Sequence, residues 1–264
     1  MTDAPRRVAL VTGAARGIGA ACVHMLAGEG YAVLAVDVAA GAGHGLPGVD
    51  YPLADREQLA AVADAHEHVE AMVADVRDPA AMRAAVDRAE ARWGRLDVAV
   101  AAAAVIAGGA PLWEDDSLDV QWDIDVRGVW NTAAAAVPAM LHGPTPAGCR
   151  FVAMASVAGN HGLFHLTAYT MAKHAVVGLV RGLAADLAGT GVTAVAVSPG
   201  AARTRMLEAT AAIYDVPVED LTAHQLAGEP LDPADVAAAV AFCCRPEGRV
   251  LNGSVVAADG GFQG

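Results

Sequence analysis

Tyr169 and Lys173 stand four residues apart at the start of an apolar stretch, AYTMAKHAVVGLVRGLAADLA, which covers residues 168–188. The Ala, Val and Leu content of this stretch predicts a helix, and residues four apart on a helix lie on the same face. The phenol and the ammonium can therefore approach the same point in space, a geometry suited to moving a proton. A surface tyrosine packed on the aliphatic stem of a lysine has the same spacing, so the pair alone does not establish catalysis.

A glycine-rich turn and one acidic residue indicate a dinucleotide site. The first apolar run leads into TGAARGIG at residues 12–19, and a helical stretch follows. Small residues let the backbone approach a pyrophosphate, and the unpaired N–H groups of a helix N-terminus attract its charge. Asp37 ends the second apolar run, where its carboxylate can bind both ribose hydroxyls and would repel a 2′-phosphate. The sequence predicts NAD rather than NADP, unless Asp37 merely ends a strand.

Seven short apolar runs alternate with helical segments along the chain. This alternation predicts a parallel sheet with helices on both faces, and right-handed crossovers make it doubly wound. Because no linker, repeat or break in composition divides the chain, we predict one α/β domain over residues 1–264 with a Rossmann-like sheet. The predicted strands are residues 7–13, 31–37, 69–76, 96–104, 150–156, 192–200 and 253–261.

Two longer connections interrupt this alternation. Residues 38–68 begin with AAGAGHGLPGVDYP, which is too rich in Gly and Pro for a helix, and regain helical character at ADREQLAAVADAHEH. Residues 201–230 form an irregular connection after the sixth strand. Both emerge at the carboxyl ends of strands, where ligands bind in sheets of this type. We therefore predict that residues 38–68 form a functional insert and residues 201–230 a substrate lid.

Charge and composition argue against several classes of function. The formal net charge of −13, from 17 Lys and Arg against 30 Asp and Glu, argues against binding to nucleic acid. No apolar stretch is typical of a membrane span and no signal-peptide pattern is present, so we expect a cytoplasmic protein without membrane contact. The four cysteines lack C-x-x-C spacing and the nine histidines are scattered, so we predict no metal site.

Further motifs complete a set that resembles the short-chain dehydrogenase/reductase family over essentially the full chain. Besides the glycine turn and Asp37, the set contains Asp75-Val76, Ser156, Tyr169-x-x-x-Lys173, Ser198-Pro199-Gly200 with Thr204, and the closing Asp259-Gly260-Gly261. The long segment after Asp37 and the strings VAAAAVIAGGAPLWE, AKHAVVGLVRGLAADLAGTGVTAVAVSPG and NGSVVAADGGF are similar to the mycofactocin-coupled branch of that family.

The resemblance implies a role for each motif. Tyr169 would be the general acid/base, Lys173 would lower the pKa of its phenol, and the Ser156 hydroxyl would hydrogen-bond the substrate oxygen. Hydride would pass between an alcohol and the nicotinamide ring. The implied cofactor contacts are Gly13, Arg16, Gly17, Ile18, Gly19, Asp37, Asp75, Val76, Ala102, Ala103, Tyr169, Lys173, Pro199, Gly200 and Thr204.

Three places depart from the usual residues of the family. Where the family commonly has N-N-A-G, this chain has alanine at positions 101–104, and the family's Asn ahead of Pro-Gly is Val195. Asp125 stands at the place of an Asn that is usually counted as a fourth catalytic residue and holds a water behind the lysine. An ionised Asp125 would stabilise the Lys173 ammonium and oppose the Tyr169 phenolate, unless Asp simply replaces Asn with little effect.

We expect an enzyme that interconverts a small hydrophobic alcohol and its carbonyl compound, with tightly held NAD recycled by a mycofactocin-type carrier. Two alternatives stay open: an ordinary member of the family with freely exchanging NAD, and a nucleotide-sensing protein with impaired catalysis. The segments 125–140 and 169–188 correspond to the helices through which family members commonly form homotetramers. Trp113, His161 and Tyr214 are candidate residues of the substrate pocket, with ordinary packing or surface positions as the alternative for each. The apolar lid residues Met206, Leu207, Ile213 and Leu221 favour a hydrophobic alcohol.

Overall fold

A seven-stranded parallel sheet lies at the centre of the protein, whose computed structural model describes residues 6–263. The strand order is β3-β2-β1-β4-β5-β6-β7, which confirms the predicted single-domain, doubly wound α/β fold. The strands are β1 Val8–Thr12, β2 Ala32–Asp37, β3 Val69–Val73, β4 Val98–Ala101, β5 Arg150–Met154, β6 Thr193–Pro199 and β7 Val255–Ala258. Residues 1–5 and 264 of the predicted domain lie outside the described residues.

Helices cover both faces of the sheet. They are α1 Gly17–Gly28, α2 Arg56–Asp64, α3 Pro79–Trp93, α4 Leu118–Gln121, α5 Gly128–His142, α6 Thr167–Asp186, α7 Arg205–Tyr214, α8 Val218–Thr222 and α9 Pro233–Cys244, with a π-helical turn at Trp122–Arg127 between α4 and α5. Asp55, Asp78 and Asp232 each accept a backbone hydrogen bond from the first turn of the helix that follows, which stabilises that helix start. Of the helices described, none is long and apolar enough to cross a membrane.

Each strand contributes to two separate cores, because side chains alternate across a strand. In β1, Val8 and Leu10 pack in the core under α3, α5 and α6, while Ala9 and Val11 pack in the core under α1 and α9. Burial on both faces explains why the strands read as continuous apolar runs in the sequence.

The insert consists of an irregular strap, residues 38–55, followed by α2. The strap contains one short 3-10 turn at Gly41–Gly43 and is closed at its base by two backbone bonds, from Gly41 N to Ala54 O and from Leu53 N to Gly41 O. Val49 is buried in the core, so the strap packs onto the protein instead of extending into solvent. The predicted change from a Gly- and Pro-rich start to a helix is confirmed.

The lid is more regular than expected. Residues 201–230 contain α7 and α8, where the sequence predicts an irregular connection. Thr204 begins α7 by accepting a hydrogen bond from Leu207 N, and Asp215 ends it in a left-handed conformation. Pro217 then begins the second short helix, α8. Two short helices separated by a turn give no continuous helical periodicity, which is why the sequence predicts an irregular connection here.

The central strand β5 gives a direct test of the sheet core. Phe151 is fully buried between Ala99 of β4 and Ala194 of β6. We expect Phe151→Ala to lower the free energy of unfolding by about 3–5 kcal/mol, because it leaves a cavity between small neighbours. Phe242→Ala, on the partly exposed face of α9, is the matched control and should cost less than ~1 kcal/mol. Urea denaturation measures both, and equal effects would contradict this description of the core.

Candidate active site

A cleft of about 780 Å³ opens along the carboxyl ends of the strands. It lies where β1 and β4 are neighbours in the sheet. The helix α1, which follows β1, packs on one face of the sheet, and α5, which comes later after β4, packs on the opposite face. This is the point at which ligands bind in open α/β sheets. The cleft is lined by Ser156 and by every cofactor contact that the sequence predicts.

The glycine turn brings two strand ends close together. Gly13 has φ +66°, and a Cβ there would lie 2.7 Å from Ala103 Cα, while a Cβ on Gly19 would lie 2.0 Å from Gly13 O. Only glycine fits at these two positions. The N-cap residue of α1, Arg16, makes no capping side-chain bond, so the first N–H groups of the helix face the cleft without a side-chain acceptor. They suit a phosphate.

Two carboxylates lie on the β2–β3 side of the cleft. Asp37 accepts hydrogen bonds from Ala15 N (3.1 Å) and Ala39 N (3.0 Å), one on each oxygen, which fixes its plane at the end of β2. Asp75 is paired with Arg77, its Oδ2 lying 2.6 Å from the guanidinium. Burial works to raise the pKa of Asp75, but the hydrogen bonds from Arg77 outweigh it and the pKa is lowered.

The floor of the cleft is the irregular segment 102–106, which follows β4 and has only apolar side chains. Thr12 at the end of β1 replaces the polar side chains that the sequence lacks here. Its Oγ1 accepts hydrogen bonds from Ala102 N (3.1 Å) and Ala103 N (3.2 Å). The alanine replacement therefore leaves a floor whose backbone is held by side chains from other elements.

Tyr169 and Lys173 meet as their spacing predicts. Both are buried on the face of α6 that lines the cleft, and Lys173 Nζ lies 5.5 Å from the centre of the Tyr169 ring. Ser156 begins the turn Val157–Gly159 after β5, where its Oγ accepts a bond from Ala158 N (3.2 Å). Ser156 and Tyr169 line the same cleft, and the Tyr169 hydroxyl lies 3.9 Å from Met206 Sδ. The three side chains converge at one point of the cleft.

Asp125 lies behind Lys173 and does not line the cleft. Both side chains are almost completely buried, and Asp125 Oδ2 lies 3.3 Å from Lys173 Nζ. The other oxygen, Oδ1, accepts a bond from Val105 N at 2.9 Å. Lys173 also donates to Met154 O at 3.4 Å. The carboxylate thus contacts the lysine directly, without the gap that a bridging water would need.

The charges of this group explain the direction of each pKa. Burial raises the pKa of Tyr169, the Lys173 ammonium opposes that rise and the Asp125 carboxylate adds to it, so the pKa lies above its ordinary value. Lys173 therefore acts on the phenol in the expected direction, but burial and the Asp125 carboxylate outweigh its effect on the pKa. Burial also raises the pKa of Asp125 against the attraction of Lys173. Burial works to lower the pKa of Lys173, but the Asp125 carboxylate and the Tyr169 phenol together outweigh it and the pKa is raised.

The predicted substrate-pocket residues divide into two groups. Met206, Leu207, Tyr214 and Leu221 of the lid line the cleft. Trp113 does not line the cleft, and it is 81% exposed. His161 contacts the ring of Phe262 instead, and Ile213 lies against Gly109.

Sequence reasoning missed the strap residues of the cleft and one buried residue beside Asp125. His44, Leu46, Tyr51 and Leu53 of the strap all line the cleft, and Tyr51 packs in the same apolar cluster as Tyr169. An irregular segment has no periodicity from which such placement can be read. Gln121 is completely buried, and the only signal for it was a polar residue four positions before Asp125.

Comparison with known proteins identifies the family. A family model described as enoyl-(acyl carrier protein) reductase matches residues 13–263. The (-)-trans-carveol dehydrogenase of Rhodococcus erythropolis is 34% identical, over 97% of this chain and 96% of its own length. The cis-4-hydroxycyclohexanecarboxylate dehydrogenase of Sinomonas cyclohexanicum is 35% identical, over 97% and 96%. The crystal structure of a Mycobacterium avium carveol dehydrogenase in complex with NAD has a TM-score of 0.87 at 30% identity, covering 97% of this chain and 96% of that chain.

The chain belongs to the short-chain dehydrogenase/reductase family and is an oxidoreductase of that family, as its motifs predict.

The Asp125 carboxylate generates a prediction about pH. The charged or titratable groups around it are Lys173 and Tyr169 of α6 and Tyr51 of the strap. Because the carboxylate raises the pKa of Tyr169, we expect Asp125→Asn to lower that pKa and to move the onset of alcohol oxidation to lower pH, with kcat equal to or above wild type. Profiles of kcat against pH measure this. A large loss of activity with an unchanged fold would contradict it.

Proposed function

We propose that this enzyme uses NAD to interconvert a small apolar alcohol and its carbonyl compound in the cytoplasm. We propose further that the NAD is tightly held and is recycled in place by a mycofactocin-type redox carrier. The observation that carries the catalytic part is the convergence of Ser156, Tyr169 and Lys173 in one cleft. The observation that carries the retention part is the strap, which is bonded to both sides of that cleft.

The residues of the cleft fit NAD. The open N-terminus of α1 suits the pyrophosphate, and the two glycines let the backbone come close to it. Each oxygen of Asp37 holds one backbone N–H and keeps a further lone pair for a ribose hydroxyl, while its charge disfavours a 2′-phosphate. The related carveol dehydrogenase of known structure is in complex with NAD, which supports the same cofactor here.

The protein's own groups perform the proton chemistry, and bound NAD supplies the hydride acceptor. The Ser156 hydroxyl accepts a bond from Ala158 N, so its own proton is free for the substrate oxygen or the Tyr169 phenol. Tyr169 takes the alcohol proton as the general base. Lys173 holds its charge beside the phenol, and the Asp125 carboxylate behind it raises the pKa of the ammonium. In the direction of carbonyl reduction, Tyr169 returns its proton to the substrate oxygen and acts as the general acid.

The substrate class follows from the walls of the cleft near Tyr169. Leu163 and Met206 pack in the same apolar cluster as Tyr169, so a compact apolar alcohol fits there. Phe164, Leu207 and Leu221 line the same cleft. Two relatives are named for the dehydrogenation of cyclic alcohols, carveol and a hydroxycyclohexanecarboxylate, which supports a cyclic alcohol as substrate, and carveol is also apolar.

The strap supports retention of the cofactor. On the side of the glycine turn, Arg16 Nη1 donates to Pro52 O at 2.8 Å. On the side of the floor, Ile106 N donates to the Tyr51 hydroxyl at 2.9 Å. Burial raises the pKa of Tyr51 to about 12, so its hydroxyl stays neutral at physiological pH. A cofactor lying beneath the strap leaves only after these bonds open, which makes release slow.

We infer that the enzyme assembles as a homotetramer. Trp130 and Leu141 of α5 and Met171 of α6 are partly or largely exposed, on the helices that the family resemblance assigns to the interface. Light scattering should give four times the chain mass of 26.7 kDa. A monomer would refute this inference without affecting the site.

Catalysis by Tyr169 is tested by removing one oxygen. We expect Tyr169→Phe to lower turnover of an apolar alcohol such as carveol by on the order of 10²–10⁴-fold, because the general base is lost. NAD binding, measured by calorimetry, should persist. Unchanged turnover would refute the assignment, and absence of hydride transfer in the wild-type protein would favour the nucleotide-sensing alternative.

Retention of NAD is tested by heat-denaturing the purified protein and assaying the supernatant for NAD. We expect about one NAD per chain, and turnover of alcohol with an artificial electron acceptor without added NAD. Tyr51→Phe removes the bond to Ile106 N and should speed NAD release roughly fivefold, the equivalent of one hydrogen bond. Tyr31→Phe removes a buried hydroxyl at the opposite end of the sheet and should not change release. Protein that is isolated without NAD and turns over readily when NAD is added would instead support the ordinary, freely exchanging enzyme.

A further inference from the structure

One polar residue of α4, Gln121, and one of the π-helical turn, Asp125, are buried near the catalytic lysine. Gln121 ends α4, and Asp125 lies in the turn Trp122–Arg127 that follows. Neither side chain is exposed to solvent. Among the described residues, Gln121 Oε1 and Asp125 Oδ2 make no aligned hydrogen bond. Burying an unpaired amide oxygen costs free energy, so the burial of Gln121 calls for a compensating role.

Asp125 and Gln121 bind the backbone N–H and the backbone carbonyl of the same residue, Val105. Val105 N donates to Asp125 Oδ1 at 2.9 Å, and Gln121 Nε2 donates to Val105 O over a longer 3.4 Å. Because Val105 O is an acceptor, the Gln121 amide must present its nitrogen there, and the flipped orientation would set two oxygens against each other. Val105 belongs to the irregular floor of the cleft.

The chemistry of the two side chains explains why both are needed. An ionised carboxylate only accepts hydrogen bonds, so Asp125 can hold the N–H of Val105 but not its C=O. The amide of Gln121 supplies the missing donor. Other side chains hold the rest of the floor: Thr12 binds Ala102 N and Ala103 N, and Tyr51 binds Ile106 N.

We propose that Gln121 is a positioning residue for hydride transfer, which acts by fixing the Val105 carbonyl while Asp125 fixes the Val105 N–H. The pair sets the floor on which the nicotinamide half of the cofactor rests, and it ties that floor to the lysine that Asp125 neutralises. This inference rests on the catalytic site proposed above. It assigns no contact with substrate to Gln121.

Three variants separate this role from simple packing. Gln121→Met keeps the length of the side chain and removes the donor. Gln121→Glu keeps the shape and can donate to Val105 O only while the new carboxyl is protonated, beside the charges of Asp125 and Lys173. Ser117→Ala is the matched control, because Ser117 begins the same helix, is equally buried, and has a hydroxyl without a hydrogen-bond partner among the described residues.

Two measurements are made on the NAD-loaded enzyme: deuterium exchange of the peptide that contains residues 102–107, and single-turnover reduction of NAD by carveol. We expect Gln121→Met to speed exchange in that peptide at least fivefold and to slow hydride transfer about tenfold, with an unchanged KM for carveol. The rate for Gln121→Glu, relative to wild type at each pH, should fall as pH rises through the pKa of the introduced carboxyl. Ser117→Ala should match wild type in both measurements.

The possible outcomes decide between the hypotheses. Wild-type exchange and wild-type hydride transfer in Gln121→Met would overturn the proposal, and so would equal losses in Ser117→Ala. If Gln121→Met does not fold, the pH-dependent ratio for Gln121→Glu decides, since a ratio that is flat with pH counts against the donor role. If the wild-type enzyme oxidises no alcohol while exchange at 102–107 responds to Gln121, then Gln121 does position Val105 and the proposed function is wrong.

Discussion

The buried contact between Lys173 and Asp125 is the constraint on which the rest of the site depends. A lone ammonium transferred to a protein interior costs several kcal/mol, and the carboxylate 3.3 Å away offsets that cost. The pKa of Lys173 is accordingly raised, and its ammonium lies beside the Tyr169 ring. The same carboxylate raises the pKa of the phenol, so a smaller fraction of Tyr169 is ionised at a given pH. Asp125 Oδ1 also binds Val105 N in the floor of the cleft. A change at Asp125 therefore affects both the charge beside Lys173 and the position of the floor.

The cleft is assembled from segments that the sheet itself does not order. Its floor follows β4 without secondary structure, one side is the strap, and another is the lid formed by α7 and α8. Thr12 and Tyr51 fix the floor from β1 and from the strap. Loops held in this way position the site precisely, while the residues that line the cleft can differ between proteins of the same fold. Proteins of one fold can therefore act on different substrates.

The sequence predicted the parts of this site that depend on local spacing. The four-residue separation of Tyr169 and Lys173 places them on one helix face, and Asp37 lies at the end of a strand whose apolar run is unmistakable. Tyr51 could not be predicted, because the Gly- and Pro-rich strap has no periodicity. Gln121 and Asp125 converge on Val105 through a π-helical turn, which the sequence pattern does not reveal. The pKa of Tyr169 was also out of reach, since burial is a property of the tertiary structure.

Direct titration of the Tyr169 phenol tests the central electrostatic claim. The ultraviolet absorbance of tyrosinate, taken as the difference between a protein and its Tyr169→Phe counterpart, reports this one side chain in the presence of the other tyrosines. If the buried carboxylate opposes ionisation, the difference band appears at lower pH in the Asp125→Asn background than in the wild-type background. A band that appears at the same pH, or at higher pH, in the Asp125→Asn background would contradict the account.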